Sequence, residues 1–328
     1  MERRTFIQLA AGSALAIGLG AFSILPAQAA GKTIVYLTPG LDLPFWRYLS
    51  KGVEAAVKAK GYEFQALDSH NNPQTQLQNA QDSIAKGVAG IVISPTDSST
   101  APSVLELAKK AGIPAVIADI GTNSGDYASF IISNNYEGAK GVGLALANAL
   151  KKKGWENGSI GLITISQARK NGQARTKGFR DGLVEGGVKT KEAALQQMQS
   201  YTADETFKFT QDMLTANPDL RGLFIQTDQP ALGALQAIKA ARREGEVLVA
   251  AFDGIPEFVD LLKSGQIVAS GMQQPYLMGE KSGEAMVKQL AGETIEKEIS
   301  VPILAITSEN IDKELPIVKE TVFANEVK

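Results

Sequence analysis

The chain has 328 residues, of which 21% are charged, with a formal net charge of −2, one histidine and no cysteine. A chain of this length exceeds one ordinary hydrophobic core, so two domains are expected. The lack of cysteine excludes a disulfide framework, and with a single histidine the composition argues against a zinc site or a Ser-His-Asp triad. We therefore expect no metal, no cofactor and no catalytic residue.

The first predicted element is a signal peptide over residues 1–29. Arg3 and Arg4 come just before an apolar run from Leu9 to Leu25, and the small-x-small motif Ala27–Ala29 follows. This order is typical of a twin-arginine export signal, which would place the mature chain in the periplasm. A transmembrane anchor is the alternative, but the run is rich in Gly and Ala and ends in a cleavage motif. Removing two arginines and one glutamate takes +1 away, so the mature charge is −3.

The rest of the chain alternates between short apolar runs and longer amphipathic segments. The runs predict strands at Thr33–Leu37, Tyr62–Leu67, Gly90–Ile93, Pro114–Ala118, Ser129–Ile132, Ile160–Ile165, Leu195–Tyr201, Gly222–Ile225, Val247–Phe252 and Ile267–Ser270. The segments predict helices at Phe45–Lys60, Gln74–Lys86, Thr100–Lys110, Glu137–Lys152, Arg175–Glu185, Ala203–Ala216, Ala231–Arg243 and Pro256–Lys263. Continuous apolar strands separated by helices favour parallel sheets that are covered on both faces. The two series predict an α/β fold with two doubly wound parallel-sheet domains.

Several other classes of site find no support in the sequence. No Gly-x-Gly-x-x-Gly motif follows the first strand, which argues against a dinucleotide site. Outside the signal peptide the only cationic cluster is Lys151–Lys153, where it complements a helix dipole, so nucleic acid is not an expected partner. His70 is interpreted as a solvated loop residue.

Polar and aromatic residues follow the predicted strands, where ligands bind in open α/β sheets. Aromatic faces cover apolar C–H patches, while carboxylates accept hydrogen bonds from neighbouring hydroxyls, so this set favours a polyhydroxylated ligand. The residues are Phe45, Trp46, Asp119, Arg175, Tyr201, Thr227, Asp228, Asp253, Gln273 and Gln274. Phe45 also shares a helical face with Leu49, Val53 and Val57, so packing in the core is the alternative role for the aromatic pair.

A series of short motifs gives a more specific indication. From Lys32 to about Asn310 the chain resembles the ribose-type, class I periplasmic sugar-binding proteins of bacterial ABC transporters. The matching stretches are Leu43–Trp46, Leu67–Pro73, Ser94–Asp97, Gly112–Pro114, Gly178–Phe179, Leu214–Asp219, Ala231–Leu235 and Phe252–Gly254. The resemblance implies a ligand cleft between two domains that a three-crossover hinge joins. It implies an N-terminal domain of residues 30–134 plus 275–304 and a C-terminal domain of residues 135–274 plus 305–328.

The resemblance also implies roles for individual residues. It assigns sugar stacking to Phe45 and Trp46 and ligand contacts to Asp119, Arg175, Tyr201, Thr227, Asp253 and Gln273. The crossovers are expected near Ser133–Asn135, Gln273–Pro275 and Leu304–Ile306.

Three positions depart from the family pattern. Leu43 and Thr227 stand where the family often has asparagine, and Ile120 stands where it often has arginine. A buried hydroxyl that lacks its partner costs about 1–3 kcal/mol, so the site should reject ribose in the usual pose. Asp42 is a possible replacement contact, although a loop-cap role fits it equally. We expect a monosaccharide, deoxysugar or polyol as the ligand.

The resemblance implies a monomeric solute receptor that delivers its ligand to an inner-membrane ABC permease and is not an enzyme. Three alternatives remain open. A sugar-sensing regulator would need a helix-turn-helix headpiece where the signal peptide lies. A periplasmic carbohydrate-active enzyme could use Asp119 and Asp253 as a carboxylate pair. Presentation of the ligand to a chemoreceptor could accompany transport.

Overall fold

Residues 31–326 are described by a computed structural model, and the predicted signal peptide lies outside them. The strands are β1 Thr33–Thr38, β2 Glu63–Asp68, β3 Gly90–Ile93, β4 Ala115–Ala118, β5 Ser129–Ser133, β6 Ser159–Thr164, β7 Lys191–Gln197, β8 Leu220–Ile225, β9 Leu248–Phe252, β10 Ile267–Met272, β11 Glu298–Val301 and β12 Leu304–Thr307. The α-helices are α1 Pro44–Lys58, α2 Pro73–Ala85, α3 Ala101–Lys110, α4 Asn135–Lys152, α5 Lys170–Glu185, α6 Ala203–Ala216, α7 Ala231–Ala240, α8 Phe258–Lys263, α9 Pro275–Leu290 and α10 Ile311–Ile317. A π-helical turn follows at Val318–Val322. Within residues 31–326, none of these helices has the length and apolar character needed to cross a membrane.

The strands form two six-stranded sheets. The first has the order β11-β5-β4-β3-β1-β2, and all its pairs are parallel. The second has the order β12-β10-β9-β8-β6-β7 and is parallel except at one edge, where β12 runs antiparallel to β10. Four buried apolar clusters lie on the faces of the two sheets, as expected when helices cover both faces. The predicted fold of two doubly wound α/β domains is confirmed, with the antiparallel edge strand as the one departure from a parallel sheet.

The chain passes between the two sheets three times. It leaves β5 of the first sheet at Asn134, leaves β10 of the second sheet at Gln273–Gln274, and returns from β11 to β12 through Pro302–Ile303. The first two passages fall where the crossovers were expected. The third comes slightly earlier than expected, because Leu304 already pairs with Met272 in the second sheet.

Several predicted elements differ from the observed ones at the edges of the fold. Strand β7 begins at Lys191, four residues before its predicted start, because it is an edge strand with exposed lysine and glutamate and no apolar run. Helix α5 begins at Lys170, five residues before the predicted Arg175. The sequence prediction missed β11, β12, α9 and α10. Their short strands and glycine- or proline-containing helices carry weak periodicity, and their partners lie far away in the sequence.

Two helix pairs bring their backbones unusually close together. A Cβ at Gly143 of α4 would lie 2.3 Å from the carbonyl oxygen of Phe179 in α5, and a Cβ at Gly178 would lie 2.1 Å from that of Tyr136. In the first domain, a Cβ at Gly279 of α9 would lie 2.0 Å from the carbonyl oxygen of Leu49 in α1. These approaches are shorter than any real Cβ contact, so glycine is required wherever the paired helices cross.

The close packing of α4 against α5 can be tested by substituting two glycines of α4. Gly143→Ala should lower the free energy of unfolding by about 1–3 kcal/mol, because the methyl group forces α4 and α5 apart. Gly141→Ala is the matched control, since its Cβ would meet no atom within 4 Å. Alanine there should raise stability by about 0.5–1 kcal/mol through its helix propensity. Urea unfolding of both variants tests this, and equal effects of the two substitutions would contradict the close-packing account.

Candidate ligand-binding cleft

A cavity with room of about 30 Å³ for the centre of a water-sized sphere lies between the carboxyl ends of the two sheets. The lining residues are Leu43, Phe45, Trp46, Asp119, Ile165, Arg169, Asn171, Arg175, Tyr201, Thr227, Asp228, Asp253 and Gln273. The eight residues predicted as ligand contacts therefore all meet around one space. The possible contact Asp42 does not, because it is exposed and lines an outer groove beside Leu43.

Three lining residues have left-handed backbone conformations. Asp119 and Asp253 come directly after β4 and β9 with φ of +65° and +61°, and Tyr201 has φ of +56°. Non-glycine residues rarely adopt this region, and such strain concentrates at functional sites. The backbone remains hydrogen-bonded, since the amide of Asp119 donates to Ile131 and that of Asp253 donates to Gly271. The turn thus ends each strand and directs the carboxylate into the cavity without breaking the sheet.

The aromatic pair lies in the first turn of α1, directly after Pro44, which is suited to the first helical position. Phe45 and Trp46 are only 7% and 5% exposed, and both pack in the core cluster of the first domain. Their ring centroids are 4.7 Å apart and their planes make an angle of 83°. Perpendicular rings cannot both lie flat on one face of a ligand. Each ring therefore packs in the core, which is the alternative role considered from the sequence, and also borders the cavity, while sugar stacking stays a prediction.

Arg175 is the most extensively bonded group in the cavity wall. Its Nη1 donates to Asp253 Oδ2 at 3.0 Å and to the carbonyl oxygen of Gln226 at 2.7 Å, and its Nε donates to Asn135 Oδ1 at 2.7 Å. The guanidinium also lies 4.0 Å from the ring centroid of Phe252. Gln273 Nε2 donates to the other oxygen of Asp253 at 2.9 Å. Both oxygens of Asp253 are thus fixed by the second domain and the crossover beside it.

Three buried acceptor atoms in the wall receive no hydrogen bond from another described protein group. They are Asp119 Oδ1, Asp228 Oδ2 and Gln273 Oε1. The other oxygen of Asp119 accepts from Asn171 Nδ2 at 3.1 Å. Leaving a buried polar atom unpaired is costly, so a bound molecule should donate hydrogen bonds here. A ligand with several hydroxyl groups meets this requirement.

Burial changes the ionisation of these carboxyls. Removal from water raises the pKa of Asp119 to about 6, partly opposed by the positive charge of Arg175. Burial followed by the neighbouring Asp253 charge raises the pKa of Asp228 to about 7. The pKa of Asp253 is also raised by burial, although Arg175 acts in the opposite direction. Perturbed carboxyls that meet in one cleft are a common feature of functional sites.

The sequence prediction did not include five lining residues among the ligand contacts: Leu43, Ile165, Arg169, Asn171 and Asp228. Arg169 and Asn171 were missed because α5 was expected to begin at Arg175, which left them in an unassigned loop. Asp228 was noted at a strand end but received no role. Ile165 follows β6 directly, whereas the sequence predicts it as the last residue of that strand.

Metal binding finds no support in this part of the chain. Among residues 31–326, no group of three or more His, Asp or Glu side chains is arranged to hold an ion. His70 is exposed, as expected, and its Nδ1 lies 3.6 Å from Asp68 Oδ2.

The raised pKa of Asp119 generates a prediction about pH. The folded protein holds this proton more tightly than the unfolded chain, so the associated stability is present below pH 3.8 and is lost as pH rises through about 6. An asparagine side chain cannot ionise, so Asp119→Asn should raise the free energy of unfolding at about pH 7 by about 2–3 kcal/mol and change it little at about pH 4. Thermal unfolding across this range measures the difference.

Asp126→Asn is the control for that experiment. Asp126 is exposed, and its Lys109 partner lowers its pKa, so its removal should slightly decrease stability at neutral pH. Parallel pH profiles for wild type and Asp119→Asn would show that burial of Asp119 does not disfavour its charge.

The chain is similar to known proteins over most of its length. A model described as a periplasmic binding protein domain matches residues 34–294. The ribose import binding protein of Haemophilus influenzae is 31% identical over 295 residues, which cover 90% of this chain and 97% of that protein. A D-apiose import binding protein of Paraburkholderia graminis is 30% identical over 80% of this chain and 82% of its own length.

Two solved structures of binding proteins are also similar to this chain over most of its length. A carbohydrate transporter solute-binding protein from Agrobacterium radiobacter in complex with D-arabinose has a TM-score of 0.82 and 26% identity, covering 90% of this chain and 99% of its own. The Caulobacter myo-inositol binding protein bound to myo-inositol has a TM-score of 0.78 and 26% identity, covering 88% and 97% of the two chains. By its sequence, its two-sheet architecture and its interdomain cleft, this chain belongs to the periplasmic binding protein family.

Proposed function

We propose that this protein is a periplasmic receptor that captures a monosaccharide or polyol between its domains and delivers it to an ABC permease. The observation that carries the proposal is the interdomain cavity itself. It combines Phe45 and Trp46 with buried acceptor atoms that have no partner in the described protein. The import functions of the relatives, and the carbohydrate or cyclitol bound in the similar structures, support this ligand class. Export through the signal peptide of residues 1–29 would place the receptor in the periplasm.

The proposed ligand contacts come from both domains. Phe45, Trp46 and Asp119 follow strands of the first sheet, while Arg175 and Asp253 belong to the second domain. A ligand that touches both sides binds the closed form better than the open form, and it therefore shifts the population towards closure. The hinge in this proposal consists of the passages at Asn134, Gln273–Gln274 and Pro302–Ile303. The domain boundaries then lie close to those that the family resemblance implies.

The wall also suggests which ligands are disfavoured. Leu43 lines the cavity where the family often has asparagine, whereas Ile120 is fully buried in the first domain and does not reach the cavity. Thr227 supplies one hydroxyl where an amide is usual, and its Oγ1 lies 3.4 Å from Asp228 Oδ1. A ligand hydroxyl placed against Leu43 would lose its partner. We therefore propose a sugar, deoxysugar or polyol that presents an apolar edge to Leu43.

We infer that the protein acts as a monomeric binding protein without catalysis. Asp253 cannot easily serve as one of a pair of hydrolytic carboxyls, because both its oxygens already accept hydrogen bonds from Arg175 and Gln273. Within residues 31–326, no group of His, Asp or Glu side chains is arranged to hold a metal ion that could take part in catalysis instead.

A thermal-shift screen tests the function directly. D-Ribose, D-apiose, D-arabinose and myo-inositol are the probes, because each is bound by a relative or similar structure. A ligand that binds only the folded protein should raise its Tm. Asp119→Ala should weaken binding of any such probe by about tenfold to a hundredfold, since a charged hydrogen bond is lost.

Asp126→Ala serves as the control, because Asp126 is an exposed carboxyl of the same domain. Full affinity in Asp119→Ala would remove Asp119 from the site, and turnover of a glycoside by the wild type would favour an enzyme.

The two tryptophans allow binding to be observed. Trp155 lies in the second domain near the cations of Lys153 and Arg221, at 5.3 Å and 5.1 Å, away from the cavity. Emission from Trp46 should change when a probe binds, and Trp155→Phe should retain nearly all of that change. Trp46→Ala should abolish the signal and weaken binding by about 1–3 kcal/mol. A large loss of Tm with unchanged affinity in the folded fraction would mean that Trp46 only packs in the core.

A further inference from the structure

One short segment of the second domain makes a dense set of contacts with the first. Arg169, Lys170 and Asn171, at the start of α5, donate five hydrogen bonds across the cleft. The acceptors are Thr96 O, Asn71 Oδ1, Ser98 Oγ, Thr122 O and Asp119 Oδ2. We call residues 169–171 the α5 latch. Each bond joins protein atoms directly and spans two domains that the proposed hinge would separate.

Arg169 is the central member of the α5 latch. Its Nε donates to the carbonyl oxygen of Thr96 and its Nη2 donates to Asn71 Oδ1, both at 2.8 Å. The guanidinium lies 5.2 Å from the ring centroid of Tyr201 in its own domain, and Arg169 is only 5% exposed. A planar guanidinium held by an aromatic face on one side presents its donors in a fixed direction. Arg169 is thus oriented by the second domain and bonded by the first.

The acceptors are ordered by bonds within the first domain. Gln76 accepts from the amide of Thr96 at 3.0 Å and donates to Ser94 O at 3.0 Å, which fixes the loop that receives Arg169. Asn71 has φ of +51°, and its backbone N–H donates to the carbonyl oxygen of Pro39 at 2.6 Å. Asp97 Oδ1 accepts from the amides of Ser99 and Thr100. Little conformational entropy remains to be lost when the α5 latch docks.

We propose that the α5 latch is a positioning element that sets the closed fraction of the receptor, with Arg169 and Asn71 as its principal pair. The proposal rests on the hinge motion of the proposed function. Tyr201 borders the cavity, so docking of Arg169 also fixes one wall of the ligand site. The interdomain bonds of the α5 latch add to closure whatever the bound molecule is. Arg169 and Asn171 also line the cavity, whereas Asn71 does not, so Asn71 is the position at which closure can be changed separately from ligand contact.

A closure contact and a ligand contact should affect the apparent Kd values of different ligands in different ways. When only the closed form binds, the apparent Kd equals the intrinsic Kd divided by the closed fraction. Weakening the α5 latch at Asn71 should therefore raise the apparent Kd of every ligand by the same factor. Loss of a direct ligand contact should instead change some ligands more than others, according to the hydroxyl groups that each one presents.

The closed fraction can be measured on the full mature chain without any sugar. The chain contains no cysteine, so a Gln74→Cys/Asp204→Cys pair accepts two spin labels without background labelling. These exposed residues lie near the starts of α2 and α6, one in each domain. Pulsed electron resonance then gives the distribution of distances across the cleft. Arg169→Ala and Asn71→Gly should each move that distribution towards longer distances, and the double variant should move it little further than either single one.

Two features of the variants keep the experiment interpretable. Asn71 is exposed, lies outside the central cavity and has a left-handed backbone that glycine adopts freely, so Asn71→Gly tests the α5 latch without loss of the fold. Arg180→Ala is the matched control, because Arg180 lies on the same helix but pairs with Glu192 inside the second domain. It should leave the distances unchanged. Unaltered distances in Asn71→Gly and Arg169→Ala would overturn the proposal.

Affinity provides the second readout. Asn71→Gly should weaken binding of each probe that raises the wild-type Tm by a common factor of about tenfold, as expected for one charge-assisted hydrogen bond. A change confined to some probes would contradict the α5 latch and indicate a ligand contact. If none of the sugar probes binds wild type, the proposed ligand class fails, and the spin-label distances still decide whether the α5 latch exists.

Discussion

The rest of the cleft depends on one buried charge, the guanidinium of Arg175. A buried cation is stable only when its donors find partners, and Arg175 has them in Asp253, Asn135 and the carbonyl oxygen of Gln226. Asn135 begins α4 directly after the first passage between the sheets, and Gln273, which donates to Asp253, lies in the second passage. The same network therefore satisfies the charge, fixes one wall of the cavity and ties that wall to two of the three connections between the domains.

This arrangement leaves buried hydrogen-bond acceptor atoms without partners in the described part of the cavity wall. Arg175 uses two of its nitrogens within the protein, while Asp119, Asp228 and Gln273 each keep one buried acceptor atom unpaired. Such atoms reduce the stability of the protein alone, and burial raises the pKa values of the Asp119 and Asp228 carboxyls. In the proposed function the same atoms would contribute to the binding of a polyol, because each hydroxyl that donates to one of them would remove a penalty that the protein already carries. Stability and affinity are thus opposed in this wall.

The groups proposed for ligand binding and those proposed for closure are neighbours and overlap only in part. The aromatic pair and the aspartates border the cavity, while the α5 latch bonds the loops at Asn71, Thr96 and Thr122 beside it. Arg169 and Asn171 belong to both sets, because both line the cavity and both bond the first domain across the cleft. Separation of the two tasks would allow substitutions at Leu43 or Thr227 to alter ligand preference while the domain contacts stay the same.

The sequence by itself determined the alternation of buried strands and helices, the two-domain α/β class and the eight residues that meet around the cavity. These follow from local apolar runs, from the rule that parallel strands place their carboxyl ends at one edge, and from motifs around Phe45 and Asp253. Only the tertiary structure decided the antiparallel edge strand β12, the perpendicular arrangement of Phe45 and Trp46, and the roles of Arg169 and Asn171. Each of these depends on partners distant in the sequence: Arg169 and Asn71 are 98 residues apart, and their contact leaves no periodic signal in either segment.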